Sequence, residues 1–288
     1  MDTLPVFDIN GLDVSKDDVF VKPFATYLKE HQQLWVPHGH SFYHVLYLTE
    51  GGGYQTIDFD RFEVKPFQIS FMIPGQIHHW DFSEKVDGYV FNFSESFFQS
   101  FLLRPDYLED FTFFKGVATD SVIEVPSMLQ SRIKGILEEM MGLRQAISPI
   151  NLDRLRVLGL DLFFRIAALQ TPSASSNGHS TYNMSVIKNF QKLIEKQYTS
   201  LKLPSEYAAL LHMTPNHLNA ICTEVLGISA GEVIRNRIVL EAKRRLVNLE
   251  LPISTIAYQL NFNDNSYFTK FFKKHTGQTP EIFRREQV

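Results

Sequence analysis

Two stretches near the end of the chain, 203–227 and 253–277, share one plan. Each reads as a helix, a turn and a second helix. A capping residue opens the second helix. Thr214 stands before Pro215 at a first helical position, and Asp264 opens the later run. Each unit then exits through a glycine, Gly227 or Gly277. Ser229 and Glu232 form a capping box that opens the single helix joining the units. Two helix-turn-helix units in tandem describe a chain built to reach two successive major-groove surfaces, so double-stranded DNA is the first partner to consider.

The net charge of −4 argues against that partner until it is divided along the chain. Residues 1–170 carry 14 Lys and Arg against 23 Asp and Glu, a net charge of −9. Residues 171–288 carry 14 against 9, a net charge of +5. A polyanion is attracted to the second part and repelled by the first. The sign changes across 170–181, a Ser-, Pro- and Gly-rich run without apolar periodicity. The expected organisation is a domain over 1–170, a linker over 171–182 and a helical domain over 183–288. Ser185 is the expected cap of the first helix beyond the linker, with Val186, Phe190, Leu193 and Ile194 on its apolar face.

No run approaches the roughly 18 apolar residues that cross a bilayer, so no membrane partner is expected. The N-terminus lacks the basic and apolar regions of a signal peptide, and the single cysteine, Cys222, fits a reducing compartment. The expected location is the cytoplasm.

The first domain changes period along its length. Short β-rich runs at 45–49, 54–59, 68–73 and 88–93, with turns at Glu50 to Gly53 and at Pro74-Gly75, indicate a small antiparallel barrel or sandwich. Helical spacing then takes over in two runs: Leu129, Ile133, Ile136, Met140, Leu143, and Leu155, Leu158, Leu162, Ile166, Leu169. Pro149 separates the runs, so they form a helical hairpin. It either covers the barrel or offers an exposed seam to a second copy. The fold class is α+β multidomain: a β-barrel with a helical hairpin, then an all-α domain.

In a helix-turn-helix unit the second helix enters the groove and its N-terminal residues meet base edges. In the first unit Leu218, Ile221 and Val225 face the core, leaving Asn216, His217, Asn219, Ala220 and Thr223 outward. In the second, Phe268 and Phe272 face inward, and Asn265, Ser266, Thr269, Lys270 and Lys273 turn toward the groove or its phosphates. Arg235, Arg237, Lys243, Arg244, Arg245, Lys274, Arg284 and Arg285 are suited to phosphates rather than bases.

Residues 184–286 resemble the DNA-binding domain of the AraC/XylS family of bacterial transcription regulators, most specifically over 256–280 and at Phe283-Arg284. The resemblance implies both recognition helices on one side of the duplex, roughly one helical turn (~34 Å) apart. It also implies promoter DNA as target, activation rather than repression, a homodimer and RNA polymerase as a partner. The chain departs from the family at Ala220, where a basic residue is common, and at Thr223 and Glu224, which replace a Lys pair. The first recognition helix is therefore expected to read bases with few charge-assisted contacts. Upstream, the run from Pro37 to His44 and then Pro74 to His78 resembles the cupin-type effector domain found ahead of such DNA-binding domains. That resemblance implies a small-molecule effector.

Five of the ten histidines, His38, His40, His44, His78 and His79, fall in this short region. The expected effector pocket is lined by Trp35, His38, His40, Tyr43, His44, His78 and Trp80. His38, His40 and His78 also approximate the metal-binding pattern of enzymatic cupins, but His44 stands where those enzymes carry a carboxylate. No metal ligand, cofactor or catalytic residue is expected. Three other readings stay open: hydrogen-bonded structural histidines, a metal-binding cupin enzyme with an appended DNA-binding domain, and a ligand-independent regulator whose barrel is a scaffold.

Overall fold

The computed structural model describes residues 5–12, 18–99, 101–104, 106–146, 148–170 and 180–286. The described residues fall into two compact units that divide near residue 171.

The first unit begins with β1 (Val6–Phe7), α1 (Ile9–Leu12), β2 (Val19–Pro23) and α2 (Phe24–Glu30). A 3-10 turn, Gln32–Trp35, leads into β3 (His38–His40), β4 (Tyr43–Glu50), β5 (Gly53–Ile57), β6 (Asp60–Glu63), β7 (Gln68–Met72), β8 (Ile77–Phe82) and β9 (Asp87–Phe93). After α3 (Glu95–Gln99) and α4 (Ala118–Ser121) come β10 (Val122–Glu124) and the long helices α5 (Ser127–Arg144) and α6 (Pro149–Gln170). The strands make two five-stranded sheets, ordered β1-β3-β8-β5-β6 and β10-β7-β4-β9-β2. Every pairing is antiparallel except β1 with β3. Gly53, at φ 100°, starts β5 where a Cβ would run into the Asp81 carbonyl, so the turn before it needs glycine.

Period-two alternation sorts β4 onto two faces. Val45 and Tyr47 join Ile69, Phe71, Phe91 and Phe93 against the helical hairpin. Leu46 and Leu48 point the other way, into a core with Phe20, Val90 and Trp80. The hairpin is built from Ile133, Ile136, Leu137, Met140 and Leu143 of α5 and Leu155, Leu162, Phe163 and Ile166 of α6. Phe163 is its keystone, packing against Phe71, Phe91, Phe93, Phe111 and Phe114. The hairpin thus covers one sheet. On its outer side α6 also leaves Ile150, Val157 and Phe164 exposed at seven-residue intervals.

The second unit is helical throughout: α7 (Thr181–Gln197), α8 (Pro204–Leu210), α9 (Pro215–Leu226), α10 (Ala230–Leu246), α11 (Ile253–Gln259), α12 (Asn265–Thr276) and α13 (Pro280–Glu286). The first helix starts earlier than its sequence suggests. Ser180, not Ser185, caps it, with Oγ accepting from the Tyr182 N–H at 3.2 Å. The expected linker over 171–182 therefore ends inside a capped helix, and positions 171–179 lie outside the described residues.

The local signals of the tandem units take the forms that chain chemistry dictates. Thr214 Oγ1 accepts from the His217 N–H at 3.2 Å, and Asp264 Oδ1 from the Tyr267 N–H at 2.7 Å. Ser229 and Glu232 close a reciprocal capping box. Both helix-ending glycines are left-handed, Gly227 at φ 74° and Gly277 at φ 85°. His212 and Asn261 occupy the same left-handed region at φ 55° and 56°. α10 packs against all six other helices of the unit. A second tie joins the two halves: Lys202, just before α8, donates to the Asn261 carbonyl and lies 3.7 Å over the Phe262 ring.

Candidate functional site

In α9 the buried stripe is Leu218, Ile221 and Cys222, with Val225 only half-buried. Asn216, His217, Asn219 and Thr223 are all exposed. Three of the four, His217, Asn219 and Thr223, are nevertheless engaged within the fold. Asn219 Oδ1 accepts from the Ala230 N–H at 3.1 Å, holding the start of α10. Thr223 Oγ1 donates back to the Asn219 carbonyl at 3.0 Å, and His217 stacks on Tyr182 with ring centroids 6.5 Å apart. Glu224, at the end of this helix, accepts from Asn183 Nδ2 at 3.1 Å. Among the described residues Asn216 has no such contact.

In α12 the buried stripe is Phe268 and Phe272. Asn265, Ser266, Lys270, Lys273 and Lys274 are exposed and Thr269 is half-buried. Among the described residues none of these three lysines enters an ion pair, so their charges face solvent. The helix begins with an amide-bearing Asn265 directly after its Asp264 cap, where a groove-bound helix meets base edges.

Several of the basic residues expected to touch phosphates have other work. Arg237 bonds Glu195 at 2.8 Å and Glu241 at 3.2 Å, and lies 4.0 Å over the Tyr198 ring. Arg245 pairs with Glu241 at 2.9 Å and donates to Gln259. Burial pushes the Glu241 carboxyl upward, but Arg237 and Arg245 outweigh it and hold the group below the ordinary carboxylate range. Arg244 is buried. Arg284 donates to the carbonyls of Leu246 and Leu251, closing the last helix onto the end of α10. These side chains hold the domain together, and Arg285 stays exposed at its surface.

The expected effector residues divide into three places. His38, His40, His44, His78 and Trp80 come together between the sheets, each 0–2% exposed. The register of β3 with β8 sets His38 opposite His78, and alternation along β3 puts His40 on the same side. Ring centroids lie 4.1 Å apart for His38 and His78, 4.7 Å for His40 and His78, and 5.1 Å for the stacked His40 and His44. Trp80 closes the group, 4.7 Å from His78. Tyr43 is elsewhere. One residue before His44 on β4, it faces the hairpin and stacks on Phe93 at 5.0 Å. Trp35 is elsewhere too, half-exposed in its 3-10 turn, edge-on to Phe82 in a shallow surface depression with Lys29 and Lys85. His79, on the opposite face of β8 from His78, is only partly buried.

The electrostatics of the cluster follow from dryness. Burial pushes the pKa of His38 down to about 4 and of His44 down to about 3, and those of His40 and His78 well below the ordinary value. All four rings are neutral near pH 7. His38 Nδ1 donates to the Val36 carbonyl at 2.7 Å, which fixes its tautomer and leaves the lone pair on Nε2. His40 Nε2 and His78 Nε2 share a bond of 2.7 Å. Five ring nitrogens, His38 Nε2, His40 Nδ1, both of His44 and His78 Nδ1, lack a hydrogen-bond partner among the described residues. Asn92, cross-strand neighbour of His44, lies near enough to raise that ring's pKa but outside good hydrogen-bond geometry. Each buried polar atom left this way costs about 1–3 kcal/mol. Sequence reasoning missed Asn92 and the Val36 carbonyl. Asn92 shares its strand face with Val90, so strand parity was the available signal.

Residues 22–151 match the family model described as an AraC-like ligand binding domain, and residues 207–286 the one described as a helix-turn-helix domain. The arabinose operon regulatory protein of Salmonella typhimurium is 22% identical over 246 residues, 84% of this chain and 83% of that relative. The HTH-type transcriptional activator AarP of Providencia stuartii is 28% identical over 113 residues, covering 39% of this chain and 84% of its own. Among solved structures, ToxT of Vibrio cholerae aligns over 93% of this chain and 98% of its own at 13% identity and a TM-score of 0.45.

Proposed function

The chain belongs to the AraC/XylS family of transcription regulators, and from that premise we propose how its parts divide the work. It is a DNA-binding regulator with an effector-binding domain ahead of its helix-turn-helix domain. In our reading residues 1–170 bind the effector and dimerise, 171–182 link, and 183–288 bind promoter DNA. Asn216, Asn265, Ser266, Thr269 and Lys270 face base edges. His217, Asn219 and Thr223 shape the first contact surface, and Lys273, Lys274 and Arg285 hold phosphates. The exposed stripe of Ile150, Val157 and Phe164 pairs with its copy in a homodimer. The effector meets the cluster of His38, His40, His44, His78 and Trp80, and it shifts DNA occupancy by favouring one arrangement of the protein over another. RNA polymerase is the further partner, activation the outcome and the cytoplasm the location.

The observation that carries this reading is the pair α9 and α12. Each is capped, entered through a left-handed turn and ended by a left-handed glycine. Genome-wide footprinting of the full chain tests it. The expected result is a recurring site with two protected major-groove segments roughly one helical turn (~34 Å) apart. Uniform protection without a recurring sequence would overturn the reading.

A further inference from the structure

We propose that His38, His40 and His78, with His44 beside them, form a site for one divalent first-row transition-metal ion. The proposal rests on the barrel being a ligand-binding domain and names the chemistry of its ligand.

The geometry supplies the donors. One ring nitrogen from each of His38, His40 and His78 can be chosen so that all lie within 4.8 Å of one another. A tetrahedral zinc with bonds of about 2.0–2.1 Å needs its nitrogens roughly 3.3 Å apart. His40 Nε2 and His78 Nε2, now 2.7 Å apart, have to separate by a few tenths of an ångström. The ring that donates the shared proton moves it to its own Nδ1, while the accepting ring already carries its proton there. One ring changes tautomer, and no proton leaves the protein. His38 is already prepared, because its Nδ1–H is held by the Val36 carbonyl and its Nε2 lone pair is unpartnered. A backbone carbonyl orienting an imidazole in this way is the usual outer support of a metal-bound histidine.

The size and type of the ligand follow from the same rings. With neighbouring centroids only 4.1–5.3 Å apart the rings are in contact and leave no room for an organic molecule between them, whereas an ion needs only their nitrogen edges. Donors made of imidazole alone, without thiolate or carboxylate, suit zinc, cobalt, nickel, copper or ferrous iron and do not suit magnesium or calcium. His44 stands outside that close set, stacked on His40 at 5.1 Å, and among the described residues neither of its nitrogens has a hydrogen-bond partner, so a turn of its ring would make it a fourth donor. It sits on β4, in the opposite sheet from His38, His40 and His78. An ion bound to all four would cross-link the two sheets, a change that a regulator could transmit.

The test titrates chelator-stripped full-length protein with cobalt(II). We expect one equivalent to bind, a visible ligand-field band of nitrogen coordination, a rise in Tm, displacement by zinc and no effect of magnesium. His38→Gln and His78→Gln should each abolish the band, and His79→Ala should retain it. The far-UV circular dichroism and urea unfolding of each variant report folding independently. A folded, footprinting protein that takes up no stoichiometric cobalt, zinc or nickel would overturn the site and leave the regulator standing. Uptake undiminished in both glutamine variants would overturn it as well. One equivalent bound by a protein without any specific footprint would support the site and remove the regulator reading instead.

Discussion

The two recognition helices have the same frame and opposite surfaces. α9 and α12 are each capped by an oxygen-bearing side chain and closed by a left-handed glycine. Outward from α9 stand groups already bonded within the fold: Asn219 to Ala230, Thr223 to the Asn219 carbonyl, His217 against Tyr182. Outward from α12 stand three lysines with no ion-pair partner among the described residues. An ammonium group facing solvent gains from any nearby phosphate, and the release of counterions adds to that gain. An amide that must first give up an intramolecular bond gains only the difference. A shared motif therefore fixes where a helix sits, while its neighbours decide how strongly it binds.

That asymmetry should appear first in salt dependence. Replacing Lys270, Lys273 and Lys274 together by alanine should give the largest loss of DNA affinity, with the slope of log affinity against log salt falling by about 0.9 for each phosphate contact removed. Replacing Asn216, His217 and Thr223 together should leave that slope unchanged. A matching fall in the second variant would break the contrast. Single substitutions sharpen it. Lys270→Ala should weaken specific binding by ~1–3 kcal/mol if it meets a base, and an equal loss on every sequence would reassign it to phosphate. Asn219→Ala should instead lower urea stability by about 0.5–1.5 kcal/mol through the lost bond to Ala230. The smallest effects belong to the turns. His212→Gly and Asn261→Gly should each change stability by no more than about 1 kcal/mol, because relief of the left-handed backbone is offset by glycine's entropy. Thermal melts should favour His212→Gly, since asparagine already tolerates that conformation better than most residues.

What could be read from the sequence was what local chemistry decides. Thr214, Asp264, Ser229 with Glu232, Gly227 and Gly277 act within a few residues of themselves, and the folded chain uses each in its expected role. The histidines were legible for the same reason, because strand spacing sets their shared face. Placing Tyr43 with them goes against that very rule: as the immediate neighbour of His44 on one strand, it faces the hairpin. Glu241 stands four residues from both Arg237 and Arg245, so those pairs follow from helical spacing, but the distant partners of Arg237 and Arg284 are opaque for a different cause. Arg237 finds Glu195 across 42 positions, and Arg284 finds the Leu246 carbonyl across 38. No local pattern marks a cation whose partner arrives through the tertiary fold, so charge counted along a chain overstates the charge offered to DNA.

The clasp of Lys202 on Asn261 and Phe262 gives α10 a second strut between the two helix-turn-helix halves. Two links between the same halves resist both stretching and rotation, so the recognition helices behave as a caliper with a fixed opening. A duplex whose grooves do not match that opening has to twist or bend to be gripped. The energy of doing so varies with the base steps in between. Positions that no side chain touches then acquire a preference of their own, written in the elasticity of the spacer rather than in its hydrogen bonds.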